Sequence, residues 1–261
     1  MEVVITPDAD AAADIVAGAI ARVLRTRPSA VLGLATGSSP LGVYRELVAA
    51  HRRGELSAAE ASAVLLDEYV GLAPDHPEGY RAFIRREFVD HIDLPDARLF
   101  SPDVADPNLR DACLRYDRLL GELGGVDVQL LGIGTDGHIG FNEPGSSLAS
   151  RTRLKTLTRA TREDNARFFH DRKEDVPRHV VTQGLGTVLD ARHLLLIACG
   201  PSKAAPIAAA VEGPVSAMCP ASVLQLHPHA TVVVDEAAAA DLRLADYYRE
   251  AYQYKPTWQE L

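Results

Sequence analysis

The stretch that decides the fold is residues 126–143, which read VDVQLLGIGTDGHIGFNE. Val126–Ile133 is the strongest strand pattern in the chain, because it is short, aliphatic and almost uninterrupted. It runs directly into a glycine-rich loop that carries an aspartate, a histidine and a glutamate. A buried strand that ends in such a loop is typical of open α/β sheets, in which ligands bind outside the carboxyl ends of the strands.

Strand and helix patterns alternate along the rest of the chain. Further strands are predicted at Val3–Ile5, Val31–Ala35, Ala63–Leu66, His193–Cys199 and Thr231–Val234. Helices are predicted at Ala11–Leu24, from residue 40 to His51, at Glu78–Val89 and Asn108–Leu123, after Lys203, and at Ala237–Ala251. This order predicts one α/β domain over residues 1–261, built as a doubly wound, mostly parallel, Rossmann-like sheet with helices on both faces.

One long segment breaks this alternation. Residues 146–179 are polar and arginine-rich with weak periodicity, and they are too many for a simple connection. Long connections in compact domains are often lids over binding sites, so we expect a lid here.

Composition and charge exclude several classes of protein. A formal net charge of −9 argues against duplex nucleic acid as a partner, since phosphate contacts need clustered Lys and Arg. The three cysteines have no C-x-x-C spacing and are interpreted as free thiols of a reducing compartment. The first residues do not match a signal peptide, and no apolar run approaches the roughly 20 residues that span a bilayer. A cytoplasmic protein without a membrane partner is predicted.

Four polar loops follow predicted strands, at Thr36–Ser39, Asp67–Tyr69, Gly134–Glu143 and Gly200–Lys203. If the strands are parallel, all four loops meet at one edge of the sheet. This convergence points to a binding site more strongly than any single loop does.

The first of these loops permits two interpretations. Thr36–Pro40 offers hydroxyls, exposed N–H groups and a helix start, which are the ingredients of a phosphate site. It also fits an ordinary helix cap, with Ser39 capping and Pro40 at the first helical position. A Walker loop is excluded, because no G-K-[ST] follows.

The loop after Val126–Ile133 carries the most distinctive chemistry. Its glycines match G-x-G-x-x-G only weakly, since no helix starts there and no acidic residue follows about 20 positions later to hold a ribose, so NAD binding is rejected. Asp136 and Glu143 bracket His138, and a carboxylate beside an imidazole makes a proton carrier that works near neutral pH. The plain alternative is an aspartate that caps a turn beside a histidine with satisfied hydrogen bonds. The position at the end of the strongest strand favours function.

Two further charged residues have functional and ordinary interpretations. Asp67 follows an apolar strand, where a carboxylate against the sheet gains a raised pKa and can act as a base, although solvated strand ends are common. Lys203 starts a helix, where it favours an anion, but it also fits a surface lysine or a Schiff-base amine. His227-Pro228-His229 lacks a further ligand, so no metal is predicted. A basic run fits either a solvated face or anion contacts, and comprises Arg151, Arg153, Lys155, Arg159, Arg162 and Arg167.

Four motifs together closely resemble the glucosamine-6-phosphate deaminase family, within the superfamily that also holds 6-phosphogluconolactonase. The motifs are residues 33–40 (GLATGSSP), 66–71 (LDEYVG), 132–144 (GIGTDGHIGFNEP) and 224–228 (LQLHP). The third is long and specific, and the Phe-Asn-Glu-Pro that ends it is similar to the deaminase rather than the lactonase. The resemblance covers nearly the whole chain, although the part after Glu236 aligns poorly and Pro220 stands where relatives tend to carry a polar residue.

The resemblance implies conversion of glucosamine 6-phosphate and water to fructose 6-phosphate and ammonia without a cofactor. It implies that Asp67 moves a proton between C2 and C1, and that His138 opens the sugar ring, oriented by Asp136 and Glu143. The implied phosphate ligands are Ser38, Ser39, Arg167 and Lys203, beneath a lid at about residues 153–182.

The resemblance also implies regulation. Bacterial members of the family are often homohexamers activated by N-acetylglucosamine 6-phosphate. The residues that match the effector site are Ser146, Ser147, Arg153, Lys155 and Thr156.

Two rival functions remain open at this point. A lactonase of the same superfamily would keep the Asp-Gly-His segment without needing Asp67 as a base. A sugar-phosphate sensor without enzymatic activity would need a second module for its output, and the sequence has no helix-turn-helix or basic DNA-binding face.

Overall fold

The structure, a computed structural model, describes residues 1–73, 75–256, 258–259 and 261. Its strands in these residues are β1 (Glu2–Thr6), β2 (Val31–Leu34), β3 (Ser62–Leu65), β4 (Asp67–Tyr69), β5 (Leu99–Phe100), β6 (Val128–Leu131), β7 (Arg153–Thr156), β8 (His179–Thr182), β9 (His193–Ala198) and β10 (Ala230–Asp235). The α-helices are α1 (Ala9–Thr26), α2 (Leu41–Arg52), α3 (Tyr80–Glu87), α4 (Leu109–Glu122), α5 (Arg159–Asn165), α6 (Leu185–Leu189), α7 (Ala204–Glu212) and α8 (Ala245–Gln253).

Seven strands form the central sheet in the order β1-β10-β9-β6-β2-β3-β5, and all of their pairings are parallel. The strands β2, β3, β6, β9 and β10 are buried along almost their whole length, as expected for a parallel sheet covered by helices. The predicted α/β, doubly wound fold is confirmed.

The order of the strands locates the natural crevice of this sheet. The chain moves outward from β2 through β3 to β5, then returns to β6 and moves the opposite way through β9 and β10. The direction therefore reverses between β2 and β6. In open α/β sheets the carboxyl ends of the strands at such a reversal form a ligand crevice.

A second, smaller sheet was not predicted. It is antiparallel, in the order β4-β8-β7, with β8 in the centre. Strands β7 and β8 lie at the two ends of the segment expected to be a lid. A separate apolar cluster packs beside this sheet, and it comprises Tyr69, Phe141, Leu157, Ala166, Phe169, Val176 and Val180.

The predicted start of the last helix is wrong. Ala237–Ala251 was expected to be helical, but residues 237–244 form turns and α8 begins at Ala245. Two carboxylates explain the difference. Asp235 accepts a hydrogen bond from the Ala238 amide, which turns the chain after β10, and Glu212 accepts from the Leu244 amide at the start of α8. Ala238 and Ala239 are buried in the core, so these alanines serve packing rather than a helix.

In the part of the chain that the structure describes, no helix is long and apolar enough to cross a membrane.

Candidate active site

A cavity of about 530 Å³ opens at the carboxyl ends of the central strands. Its volume lies in the range of small-ligand sites. All four polar loops identified in the sequence contribute to its lining, as their placement after parallel strands predicts. Among the lining residues are Ser38, Ser39, Asp67, His138, Arg167 and Lys203.

Asp67 is buried at the start of β4, two residues after the end of β3, where the chain leaves the central sheet. Burial raises the pKa of its carboxyl to about 8, the nearby Glu68 charge adds to the rise, and a hydrogen bond with the Thr182 side chain opposes it. A carboxyl group with a pKa close to neutral pH can both take up and return a proton, as a general base must.

The neighbouring Glu68 has a different task. Its carboxylate accepts hydrogen bonds from the amides of Tyr69, Tyr80 and Arg81, at 2.8 to 2.9 Å. Tyr80 and Arg81 are the first two residues of α3, so Glu68 caps that helix and satisfies N–H groups that would otherwise lack partners. Burial raises the pKa of Glu68, and these N–H donors act against the rise.

Asp136 holds His138 by two hydrogen bonds. The imidazole Nδ1 lies 2.6 Å from the Asp136 carboxylate, and the same oxygen accepts the His138 amide at 3.1 Å. The hydrogen bond with His138 lowers the pKa of Asp136. Because Nδ1 is engaged, Nε2 is the ring nitrogen left to exchange a proton with a ligand.

Gly134 makes room for the imidazole ring. A Cβ atom at residue 134 would lie only 2.2 Å from Cε1 of His138. Gly137 has a φ of +84°, which favours glycine, and its carbonyl accepts the Ala221 amide at 2.8 Å. The glycines therefore shape a tight loop around the histidine and do not form a dinucleotide site.

Glu143 lies elsewhere than the sequence suggests. It is buried, and it accepts hydrogen bonds from the hydroxyls of Thr158, at 3.3 Å, and Thr161. Thr158 is the N-cap of α5, in the segment between β7 and β8. Among the described residues no hydrogen bond joins Glu143 to His138. The glutamate instead links the loop of residues 134–143 to this segment.

The loop after β2 differs from an ordinary helix cap. α2 begins at Leu41 with Pro40 at the N-cap, and no side chain caps it, so the Ser39 cap considered from the sequence is not formed. The hydroxyl of Tyr44 instead braces the loop, 2.6 Å from the Ala35 carbonyl oxygen. Ser38 and Ser39 line the cavity and leave their hydroxyls for a ligand.

Two cations, Lys203 and Arg167, line the cavity. Lys203 Nζ donates to the Ile133 carbonyl at 2.7 Å, which fixes the ammonium at the end of β6. Burial lowers the pKa of Lys203, and the positive charge of Arg167 adds to this effect. Two cations that repel each other at one cavity favour the binding of an anion between them.

The residues matched to an effector site lie outside the lining of this cavity. Arg153 and Lys155 alternate along β7 and are half-buried on the same side of the strand, whereas Thr156 is exposed. Burial lowers the pKa of Arg153. In the preceding loop Ser146 is buried and Ser147 is exposed.

Sequence reasoning missed two parts of the site. One is an aromatic wall in which Tyr69 packs against Tyr80, Phe141 and Phe169 with ring centroids 4.7 to 5.9 Å apart. The other is Thr182, whose contact with Asp67 depends on the pairing of β4 and β8. Only a prediction of the small sheet would have found it. In the described residues no group of three or more histidine, cysteine or acidic side chains is arranged to hold a metal ion.

Comparison with known proteins identifies the family. The family model for glucosamine-6-phosphate isomerases and 6-phosphogluconolactonase matches residues 8–234. The chain belongs to this family. Within the family it is 59% identical over 259 residues to a glucosamine-6-phosphate deaminase of Streptomyces coelicolor and 60% identical to that of Rhodococcus jostii, with 99% of each chain covered in both comparisons.

Solved structures agree with this assignment. A protein described as a monomeric glucosamine-6-phosphate deaminase superposes with a TM-score of 0.90 at 41% identity, over 92% of this chain and all of that one. The 6-phosphogluconolactonase from Trypanosoma cruzi superposes with a TM-score of 0.74 at 18% identity, over 93% of this chain and 97% of its own, and shows the shared fold alone.

The raised pKa of Asp67 predicts a stability effect with a definite sign. An unfolded aspartate has a pKa near 3.9, so between about pH 4 and pH 8 the folded protein keeps a proton that the unfolded chain releases. The free energy of unfolding therefore falls as pH rises through this window. We expect Asp67→Asn to be more stable than the native protein at pH 8, with a gap that widens by about 1 kcal/mol per pH unit from pH 5.

Urea unfolding at pH 5, 6, 7 and 8 measures this gap. Asp241→Asn, at an exposed carboxylate, is the matched control, and its stability relative to the native protein should not follow the same trend. A gap between Asp67→Asn and the native protein that stays constant from pH 5 to pH 8 would contradict the assignment.

Proposed function

We propose that the protein converts glucosamine 6-phosphate and water to fructose 6-phosphate and ammonia. The observation that carries the proposal is the buried carboxyl of Asp67, with a pKa of about 8, in the same cavity as the His138–Asp136 pair. An aldose–ketose isomerisation needs a base that takes a proton from carbon and returns it, and Asp67 has the required properties. The names of the relatives at 59% and 60% identity support the same reaction.

Each group has a role in this reaction. His138 takes the proton from the C1 hydroxyl and returns one to the ring oxygen, which opens the sugar, and Asp136 holds the imidazole in position. Asp67 then takes the proton from C2 and delivers it to C1, while one proton of the substrate's ammonium group passes to the aldehyde oxygen at C1. These transfers leave a hydroxyl at C1 and a C=N bond at C2. Water adds to that carbon and ammonia leaves. Glu143, bound to Thr158 and Thr161, supports His138 indirectly by fixing the loop that carries it.

The 6-phosphate of the substrate occupies the end of the cavity near Ser38, Ser39, Arg167 and Lys203. The two serines offer hydroxyls and the two basic side chains offer positive charge. In this proposal Lys203 is an ammonium that binds phosphate and not a Schiff-base amine, since its hydrogen bond to Ile133 holds it at the cavity wall.

Residues 153–182 form the lid in this proposal. They leave and return through β7 and β8, and they supply Arg167. Their apolar side chains pack with Tyr69 and Phe141 in the small cluster. Closure over the substrate would exclude water during the proton transfers.

Ammonia release from glucosamine 6-phosphate by the purified protein tests the function. We expect stoichiometric fructose 6-phosphate and ammonia, and we expect His138→Gln to slow turnover by about 10²–10⁴-fold with the fold retained, because it removes a proton carrier. Hydrolysis of 6-phosphogluconolactone without ammonia release would establish the lactonase instead. Binding of sugar phosphates without turnover of either compound would indicate a sensor. Near-native turnover of His138→Gln would remove this histidine from the mechanism.

A second prediction concerns Lys203. Lys203→Met should raise the KM for glucosamine 6-phosphate at least tenfold, since a charge-assisted contact to phosphate is lost, while kcat falls less. Lys255→Met, at a lysine outside both the lid and the cavity lining, is the control and should leave KM near its native value. Borohydride added with substrate should leave no covalent sugar adduct, and a trapped adduct on Lys203 would overturn the phosphate role.

Regulation and assembly form the finer part of the proposal. Arg153 and Lys155 lie on one side of β7, away from the cavity lining. The buried hydroxyl oxygen of Ser146 has no hydrogen-bond partner among the residues that the structure describes. An effector phosphate bound by these residues together with Ser147 and Thr156, at a contact between subunits of a homohexamer, would neutralise the two cations and accept a hydrogen bond from Ser146.

The free thiols of Cys113, Cys199 and Cys219 fit the reducing cytoplasm as the location of this activity.

Kinetics with and without N-acetylglucosamine 6-phosphate test this regulation. The effector should lower the substrate concentration for half-maximal rate, with a coupling of about 1–3 kcal/mol. The double variant Arg153→Ala, Lys155→Ala should lose the response and keep the maximal rate. Hyperbolic kinetics without an effector response, from a monomer in sedimentation experiments, would show that the basic residues of β7 have no such role.

A further inference from the structure

Thr182 occupies a position that joins the small sheet to the proposed base. It is the last residue of β8, the strand by which the chain returns from residues 157–178. In the antiparallel ladders it pairs with Asp67 of β4 on one side and with Arg153 of β7 on the other. Thr182 is completely buried, so its hydroxyl must find its partners within the protein.

The Thr182 hydroxyl has one proton and more than one acceptor within reach. Its oxygen accepts the Phe141 amide at 3.2 Å. Its contact with the Gln183 carbonyl is long, at 3.3 Å, and that carbonyl already accepts the Asn142 side-chain amide at 2.8 Å. The carbonyl therefore does not depend on Thr182. The hydroxyl proton is free to turn to the Asp67 carboxylate, because directly paired residues of an antiparallel ladder place their side chains next to each other on one face.

Gly140 is what allows the two side chains to approach each other. A Cβ atom at residue 140 would lie 3.1 Å from the Thr182 hydroxyl oxygen and 3.2 Å from an Asp67 carboxylate oxygen, and the φ of +55° there is one that L side chains rarely adopt. The loop of residues 134–143 therefore leaves space for the Asp67 carboxylate and the Thr182 hydroxyl to meet.

We propose that Thr182 is the positioning residue of the Asp67 carboxylate. Its hydroxyl donates to the carboxylate when Asp67 is ionised and turns back to the Gln183 carbonyl when Asp67 carries the proton. Both protonation states of the base are then satisfied without movement of the backbone, which suits a group that must take up and release a proton in each turnover. This inference rests on the proposed function, since it requires Asp67 to be the base.

Other ionisable groups near Asp67 do not reproduce this effect. Glu68 on the same strand raises the pKa of Asp67, which is opposite to the effect of Thr182. Tyr69, Tyr80 of α3 and Tyr116 of α4 also interact with Asp67, and burial raises the pKa of each far enough to keep it neutral at the pH of the assay. A substitution at Thr182 changes none of these groups.

The pH profile of Thr182→Val tests the proposal, because valine keeps the shape and removes the hydroxyl. Without the donor the pKa of Asp67 rises, so the acid limb of kcat should move to higher pH. On that limb kcat should fall by about tenfold, as expected for loss of one hydrogen bond to a charged group, and the rates should converge with native values at high pH. Thr182→Ser restores the donor and should restore the native profile.

A merely structural role would give a different result. It would lower the rate by the same factor at every pH, or raise KM alone, and either outcome would overturn the proposal. If Thr182→Val does not fold, Thr182→Cys provides the same test, because a thiol is a much weaker donor. A shifted acid limb in that variant supports the hydrogen bond, and an unshifted one contradicts it.

Failure of the proposed function is distinguishable from failure of this inference. A native protein that releases no ammonia, or an Asp67→Asn variant that turns over normally, refutes the function or the identity of the base whatever Thr182 does. An active native protein, an inactive Asp67→Asn and an unshifted Thr182→Val profile refute the inference alone.

Discussion

The burial of one carboxyl group, that of Asp67, is the constraint on which the rest of the site depends. A carboxylate at the end of a buried parallel strand is costly to ionise, because water is replaced by the apolar sheet and its helices. At Asp67 this cost raises the pKa of the carboxyl. At Glu68 three backbone amides donate hydrogen bonds to the carboxylate and reduce the cost. The two adjacent acids therefore differ in their surroundings. Asp67 has a pKa near neutral pH, and Glu68 caps α3.

The small antiparallel sheet contains this buried carboxyl group. β4 begins with Asp67 itself, and β8 brings Thr182 to it from a part of the sequence more than a hundred residues away. The loop of residues 134–143 completes this arrangement. Gly140 leaves space for both side chains, and the Phe141 amide donates a hydrogen bond to the Thr182 hydroxyl oxygen. Two regions of the chain that only the fold brings together thus determine the properties of a single carboxyl.

What the sequence could predict follows from the range of the interactions. The parallel sheet and the convergence of the four polar loops could be predicted from local patterns, namely the short aliphatic runs and the Gly-rich loop around His138. The structure has both the sheet and the convergence. The Asp136–His138 contact is also local, two residues apart. β7 and β8 were not found, because only Leu154 is apolar in Arg153–Thr156 and the pairing of this strand depends on distant partners. The start of α8 was misplaced for a similar reason, since Glu212 of α7 fixes it.

The same long-range contacts connect the proposed lid to the chemistry at both of its ends. Glu143, on the loop of residues 134–143, accepts hydrogen bonds from the threonines at the start of α5. Thr182, the last residue of β8, pairs with Asp67. Asn165 near the end of α5 adds a hydrogen bond to the Tyr69 hydroxyl, 3.1 Å away, beside the aromatic wall. A segment attached in this way cannot shift without changing the surroundings of Asp67 or of the loop that carries His138.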